Sequence, residues 1–304
     1  MVENVIKQNN GSVAVPAPST ISSTGAAPPL RRRGVAGWVV LGLLAISLLV
    51  TLYPFMLAAL NAIKTPVDYG ANGPVALPHS FDLSALIGFW RRVDFGQKLF
   101  NSILISASVA VVAVIISLLN AYALGIGRVK GGKALLLVVM LGVMIPQESL
   151  VYPIYYLMKS VGLFDTRLSV IIVFAVLQSA FGTYLLSTVL TSFPRELLEA
   201  AQIDGATRLQ ILWHVVVPLL RPTLRVLATF FFIWTWNEFL LPLVLLIAND
   251  NQTVSVAMGT LSNQYTSDPT TTAAASLLGL APTVLFFLIF QRTLTHGIAV
   301  GAVK

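Results

Sequence analysis

Cysteine is absent from all 304 residues, which excludes a disulfide framework and a thiolate metal site. Histidine occurs three times, at His79, His214 and His296, a scatter that does not build a zinc centre. Charge is scarce too: 10% of residues are Asp, Glu, Lys or Arg, against roughly 25% in an ordinary globular chain. With 56% hydrophobic residues and a mean hydropathy of +0.83, a soluble fold of this length could not cover its surface with polar groups. The net charge of +7 suggests nucleic acid, but the basic residues form no single interleaved patch. Where they fall matters more than their sum.

They fall in short clusters between long uncharged runs. A helix needs about 20 residues, at 1.5 Å each, to cross about 30 Å of hydrocarbon. Six runs meet that length: 34–63, 99–127, 134–158 with Glu148 inside it, 168–194, 226–249 with Glu238 inside it, and 269–291. The expected fold is therefore an all-α membrane protein with six transmembrane helices. Residues 1–33, ending in Arg31, Arg32 and Arg33 and rich before them in Ser, Ala, Gly and Pro, read as a disordered cytoplasmic tail. The apolar run after it lies too far in, and is too long, for a cleaved signal peptide, so 34–63 reads as an anchor that stays.

With the N-terminus inside, 13 of the 19 Lys and Arg fall in the tail, in 128–133, in 195–225 and after 291. Lys64, Arg91, Arg92, Lys98, Lys159 and Arg167 remain outside, a bias that favours both termini in the cytoplasm. The extracytoplasmic loop 64–98 breaks at Pro66, Gly70, Gly73, Pro74 and Pro78, then carries enough apolar residues for a short amphipathic helix, lying on the membrane or on the bundle. Asn101 and Ser102 after it read either as a cap of the second span or as interfacial polar residues.

The richest stretch is 193–222, FPRELLEAAQIDGATRLQILWHVVVPLLRP, expected inside between spans four and five. Pro194 suits the start of a helix, and Glu196 in its first turn complements the positive helix end. Leu197, Leu198 and Ala201 offer an apolar side opposite Glu196 and Glu199. Asp204 and Gly205 then interrupt the pattern, the glycine for backbone angles closed to other residues and the aspartate as a cap for the helix that restarts. Leu209, Leu212 and Val216 recur at helical spacing, and Pro218 is expected to end the second piece. Two short helices on a surface make a docking element.

On these residues the chain resembles the inner-membrane permeases of ATP-binding-cassette importers. Their cytoplasmic loop reads Glu-Ala-Ala, three residues, Gly, nine residues, Ile, one residue, Leu-Pro; here Glu199, Ala200, Ala201, Gly205, Val215, Val217 and Pro218 hold those places, with valine at both aliphatic positions. Further matches at Tyr53-Pro54-Phe55, Asn101-Ser102-Ile103, Trp236 to Phe239 and Gly297 to Lys304 make it similar to the smaller permease of maltose and glycerol-phosphate systems, within the carbohydrate-uptake subgroup. The resemblance implies the type I importer permease fold, with a core over 99–291 and a coupling helix in 193–222. Residues 292–304 would form a cytoplasmic C-terminus. It implies a sugar or sugar-like solute, the inner membrane of a prokaryote, and ATPase coupling through Glu199, Ala200, Ala201, Gly205 and Pro218. The implied partners are a second permease, two ATPase subunits that use ATP and magnesium, and an extracytoplasmic solute-binding protein. The chain itself would be no enzyme and would hold no cofactor.

Other signals carry less. Residues 127–133, GRVKGGK, spell most of a phosphate-binding glycine loop, but Ala134 stands where the magnesium-binding hydroxyl belongs and no strand precedes, so the segment reads as a basic turn. Glu148 and Glu238 sit in apolar runs, where a carboxylate is expected to be paired, wet or functional; bundle support, a solute pathway and a proton relay all remain open for them, and bundle support or a solute pathway for Trp236 and Asn237. The rival function is an ion-coupled carrier working through those two carboxylates. A membrane enzyme is disfavoured, since no nucleophile, base and orienter come together.

Overall fold

The computed structural model describes residues 35–127, 129–261 and 268–302, with side chains for 37–127, 129–260 and 268–291. The expected tail, its three arginines, Arg128 and the charges after 291 lie outside the described side chains. The chain divides into two compact units. The first, up to Thr51, holds the start of α1 (Val35–Ala62), and the second, from Leu52, holds the rest.

Every regular element among the described residues is helical: α2 (Pro66–Asn72), α3 (Ser84–Arg92), α4 (Phe95–Gly125), α5 (Gly132–Val143), α6 (Val151–Ser160), α7 (Arg167–Thr191), α8 (Arg195–Ile203), α9 (Arg208–Ile211), α10 (Val217–Asn237), α11 (Leu240–Leu245), α12 (Val254–Leu261) and α13 (Pro269–Ala302). Among the described residues five helices are long and apolar enough to cross a membrane, and six if the bent pair Gly132–Val143 and Gln147–Ser160 is one span. This is the all-α, multi-span architecture expected of a type I importer permease.

Two spans differ from their sequence outline. The third is no straight rod. Its two halves meet at 91°, because Pro146 lacks an N–H and drives the chain out of helical angles before the Gln147–Leu150 turn. The fifth begins much earlier than residue 226, since helix runs from Arg208 to Asn237. Pro218 does not end it. A proline ring presses on the carbonyl four residues back, here His214, and a π turn over Leu212–Val216 opens the helix at that point. The far end of the same span breaks after Asn237 and resumes as α11.

The second unit is built on α4, α7 and α10. Gly182 lets α7 approach so closely that a Cβ there would lie 2.2 Å from Ser117 Oγ and 2.9 Å from Phe231 Cζ. Small residues at such crossings allow dispersion contacts and backbone-directed hydrogen bonds where lipid supplies no hydrophobic drive. Ser117 Oγ accordingly reaches the carbonyls of Ala113 (2.6 Å) and Ser179 (3.2 Å), and Gln178 Nε2 donates to Thr235 Oγ1 at 2.9 Å.

At one end of the bundle the segment after α11 is tied down by α4 and by the turn before α7. Lys98, fully buried, donates through Nζ to the Asn249 carbonyl and to Asn249 Oδ1. Asn101 Nδ2 donates to the carbonyls of Asp250 (2.7 Å) and Gln252 (2.9 Å), and Ser102 Oγ accepts from the Val254 N–H at 2.9 Å. Asn101 and Ser102 are therefore not caps: α4 starts at Phe95, and both lie inside it as clamps on a loop. Asp165 Oδ1 accepts from the N–H groups of Ile247 and Ala248, both at 2.9 Å, which fixes the other side. In the same region the expected amphipathic helix forms as α3, resting on α4 and α13 with Phe89 and Phe95 buried.

Candidate functional site

The opposite end carries the segment with the Glu-Ala-Ala motif, and its geometry is set by local rules. After α8, Gly205 takes φ +78°; its N–H bonds the Gln202 carbonyl and the Ala206 N–H reaches back to Ala201, both at 3.0 Å. This paired arrangement closes a helix with a left-handed residue, the role in which glycine is favoured. Asp204 is the last residue of that turn and does not cap the next helix. Thr207 does: its Oγ1 accepts from the Gln210 N–H and its own N–H donates to Gln210 Oε1 at 2.8 Å, a reciprocal capping box. Tyr122, at the end of α4, donates its hydroxyl to the Arg208 carbonyl at 2.8 Å.

The hairpin thus has fixed ends, and its underside is packed. Leu198, Ile211, Leu212 and Val216 are buried in one core with Leu186 and Leu190 of α7, while Ala201 and Ala206 pack at its edge. Leu209, expected on the apolar side, points out and is 67% exposed; Ile211 takes its place. Glu199 and Ala200 face outward. Glu199 makes no ion pair among the described residues, so its carboxylate is available to a cation from elsewhere. Between the hairpin and the ends of α4 and α7 lies a cavity of about 810 Å³ lined in part by Arg195, Glu199, Gln202 and Arg208. Pro218 stands apart from this surface, as the second residue of α10.

The intramembrane candidates separate from one another. Glu148 lies exposed on the turn at the 91° bend. Trp236 is buried, its Nε1–H donating to Thr283 Oγ1 at 3.2 Å and its ring edge-on to Phe286 at 4.8 Å. Asn237 is exposed and its Nδ2 returns to the Ile233 carbonyl at 2.8 Å. Glu238 sits in the break, where Oε1 accepts from the Leu240 N–H at 3.2 Å. Trp234, 43% exposed, packs edge-on against Phe181.

Residues 127–300 match the family of binding-protein-dependent transport system inner membrane components. The chain belongs to that family. The permease is 29% identical over 273 residues to the arabinooligosaccharides transport system permease protein AraQ of Halalkalibacterium halodurans, covering 89% of this chain and 97% of the relative. It is 32% identical over 271 residues to the trehalose transport system permease protein SugB of Mycobacterium tuberculosis, with 88% and 97% covered. A chain of a bacterial ABC transporter involved in the import of the acidic polysaccharide alginate superposes with a TM-score of 0.72 at 25% identity, over 85% of the permease and 96% of that chain. The permease is thus a multi-pass inner-membrane transport component, of a family that moves solutes and does not transform them.

Sequence reasoning missed Tyr122, Thr207 and Gln210. The Thr-x-x-Gln spacing of the capping box was present to be found; the Tyr122 contact joins residues 86 apart and left no local trace.

Proposed function

We propose that the permease is one of two membrane halves of an ATP-driven importer that carries a sugar or oligosaccharide inward, both termini lying in the cytoplasm. The cargo class is supported by what the relatives are named for, arabinooligosaccharides and trehalose among them. Within that class we assign it the position of the smaller permease, as in maltose and glycerol-phosphate systems, with 99–291 as the translocating core. Its partners are a second permease, two ATPases that bind ATP and magnesium, and an extracytoplasmic solute-binding protein, the last in keeping with the family's description.

One observation carries the mechanism: the hairpin is stiff at both ends and runs without interruption into a membrane helix, from Arg208 to Asn237. Closure of two ATPases on ATP displaces whatever is seated in them, and a hairpin that keeps its shape passes the displacement into α10. Glu199 pairs with a basic residue of the ATPase, Ala200 permits close approach, and Ala201 and Gly205 hold the hairpin's form. Pro218 serves the junction with α10. In the membrane, exposed Glu148 and Asn237 face the solute pathway or the second permease, whereas Trp236 and Glu238 support the bundle. No residue of this chain acts as a chemical catalyst.

Purification from the native membrane with mass spectrometry of the partners, then solute-stimulated ATPase assays in liposomes, tests the reading. Recovery of ATPase subunits and stimulation by solute with its binding protein are expected. Uptake by this chain alone, driven by an ion gradient and abolished at Glu148 or Glu238, would overturn it.

A further inference from the structure

In an unbroken helix the Leu240 N–H would donate to the Trp236 carbonyl four residues back. Here that bond is split, and each half has found a substitute: the Leu240 N–H donates to Glu238 Oε1 (3.2 Å) and the Trp236 carbonyl accepts from Ser255 Oγ (2.9 Å). The acceptor's substitute comes from another element, α12. A second contact joins the same two places, because Gly259 of α12 lies so close to Phe239 that a Cβ there would stand 2.3 Å from ring atom Cε2. The start of α12 is in turn held by Ser102 of α4, and the loop leading into it by Lys98, Asn101 and Asp165. A buried carbonyl without a partner is costly in a membrane, so the Trp236 carbonyl keeps either Ser255 or Leu240.

We propose that the break between α10 and α11 is a two-state hydrogen-bond switch, with Ser255 and Glu238 as positioning residues. α12 is the element through which the loop 246–254 sets its state. When α12 is seated the break is open; when α12 withdraws, the Leu240–Trp236 bond re-forms and α10 runs on into α11. On the function proposed above, the loop faces the solute-binding protein, so docking on that side reaches the membrane helix that continues from the hairpin.

The complete transporter in lipid nanodiscs, with its ATPases and binding protein, provides the test. Ser255→Ala removes the substitute donor, and hydrogen exchange across 238–243 is expected to slow as the helix heals. ATPase stimulation by loaded binding protein should fall about three- to tenfold, the worth of one such bond, with basal turnover unchanged. Ser255→Thr, which keeps the hydroxyl, should restore both. Glu238→Gln keeps an acceptor oxygen without the charge and should behave as the native residue, whereas Glu238→Leu should not. Faster exchange in Ser255→Ala, equal loss of basal and stimulated turnover, or failure of threonine to rescue would overturn the switch. If the native complex itself shows no stimulation, the proposed function fails and takes the switch with it; native stimulation that Ser255→Ala leaves intact sinks the switch alone.

Discussion

Replacing Gly205 with a residue that bears a Cβ forces that residue to φ +78°, although no atom stands within 4 Å of where the Cβ would go. Space is therefore not at issue, and any effect measures backbone strain alone. For an ordinary L-residue the left-handed region costs about 1–2 kcal/mol, which lowers the share of hairpins in the docking shape about 5- to 30-fold. Valine, branched at Cβ, should exceed alanine, while asparagine tolerates the region and should lie near glycine. The assay is titration of ATPase subunits onto permease reconstituted in nanodiscs, with membrane insertion measured separately as a control that should not change. The predicted order of affinity is Gly205, then Asn, Ala and Val. An asparagine variant as weak as valine would show that the side chain obstructs a partner, and unchanged affinity in all three would remove Gly205 from the coupling surface.

Two further substitutions and one titration probe other parts of the chain. Tyr122→Phe deletes the hydroxyl bonded to the Arg208 carbonyl and should weaken ATPase binding about two- to tenfold without altering the melting of the membrane bundle, read by differential scanning fluorimetry. Gly182→Ala should lower that melting temperature, since overpacking at the contact with Ser117 and Phe231 costs typically about 1–3 kcal/mol; an unchanged melt would mean that α4 and α7 are not so close. The Asp68 carboxyl is held below its usual range by the Asn72 side-chain amide and the His79 N–H, with the His79 ring adding to this and burial opposing it. A depressed folded-state pKa favours the ionised form, so the ordering of 66–79 is present at neutral pH and is lost as pH falls through the lowered value. Limited proteolysis of that segment should show this acid loosening in the native chain and none in Asp68→Asn.

Hydropathy alone carried the count of spans, because each run is local and about 20 residues of apolar sequence have few other uses. The hairpin was legible for the same reason, because Gly205 breaks it within a few residues; the equally local Thr207-x-x-Gln210 box went unread, and its capping role was given to Asp204. What failed was stopping the second helical piece of the hairpin at Pro218. Proline's intrinsic cost is real, but Leu212, Val216 and Leu220 enter one core, and a π turn costs less than leaving that face unpacked. Asn101 and Ser102 misled in another way. Their partners lie some 150 residues downstream, and a buried polar residue in a helix looks the same in sequence whether it caps, solvates or clamps. Glu238 stayed ambiguous because the helix break that decides its role is not local: its Oε1 accepts from the Leu240 N–H only because the Trp236 carbonyl turns instead to Ser255 on another helix.

The 30-residue run from Arg208 to Asn237 has one more consequence. At 1.5 Å per residue it is a rod of about 45 Å, so tilting it by about 5° about its inner tip sweeps the far tip sideways by about 4 Å. Hydrogen bonds are gone beyond about 3.5 Å of separation. A motor gripping one tip thus needs only a few degrees of swing to change which neighbour the Trp236 carbonyl can reach at the other.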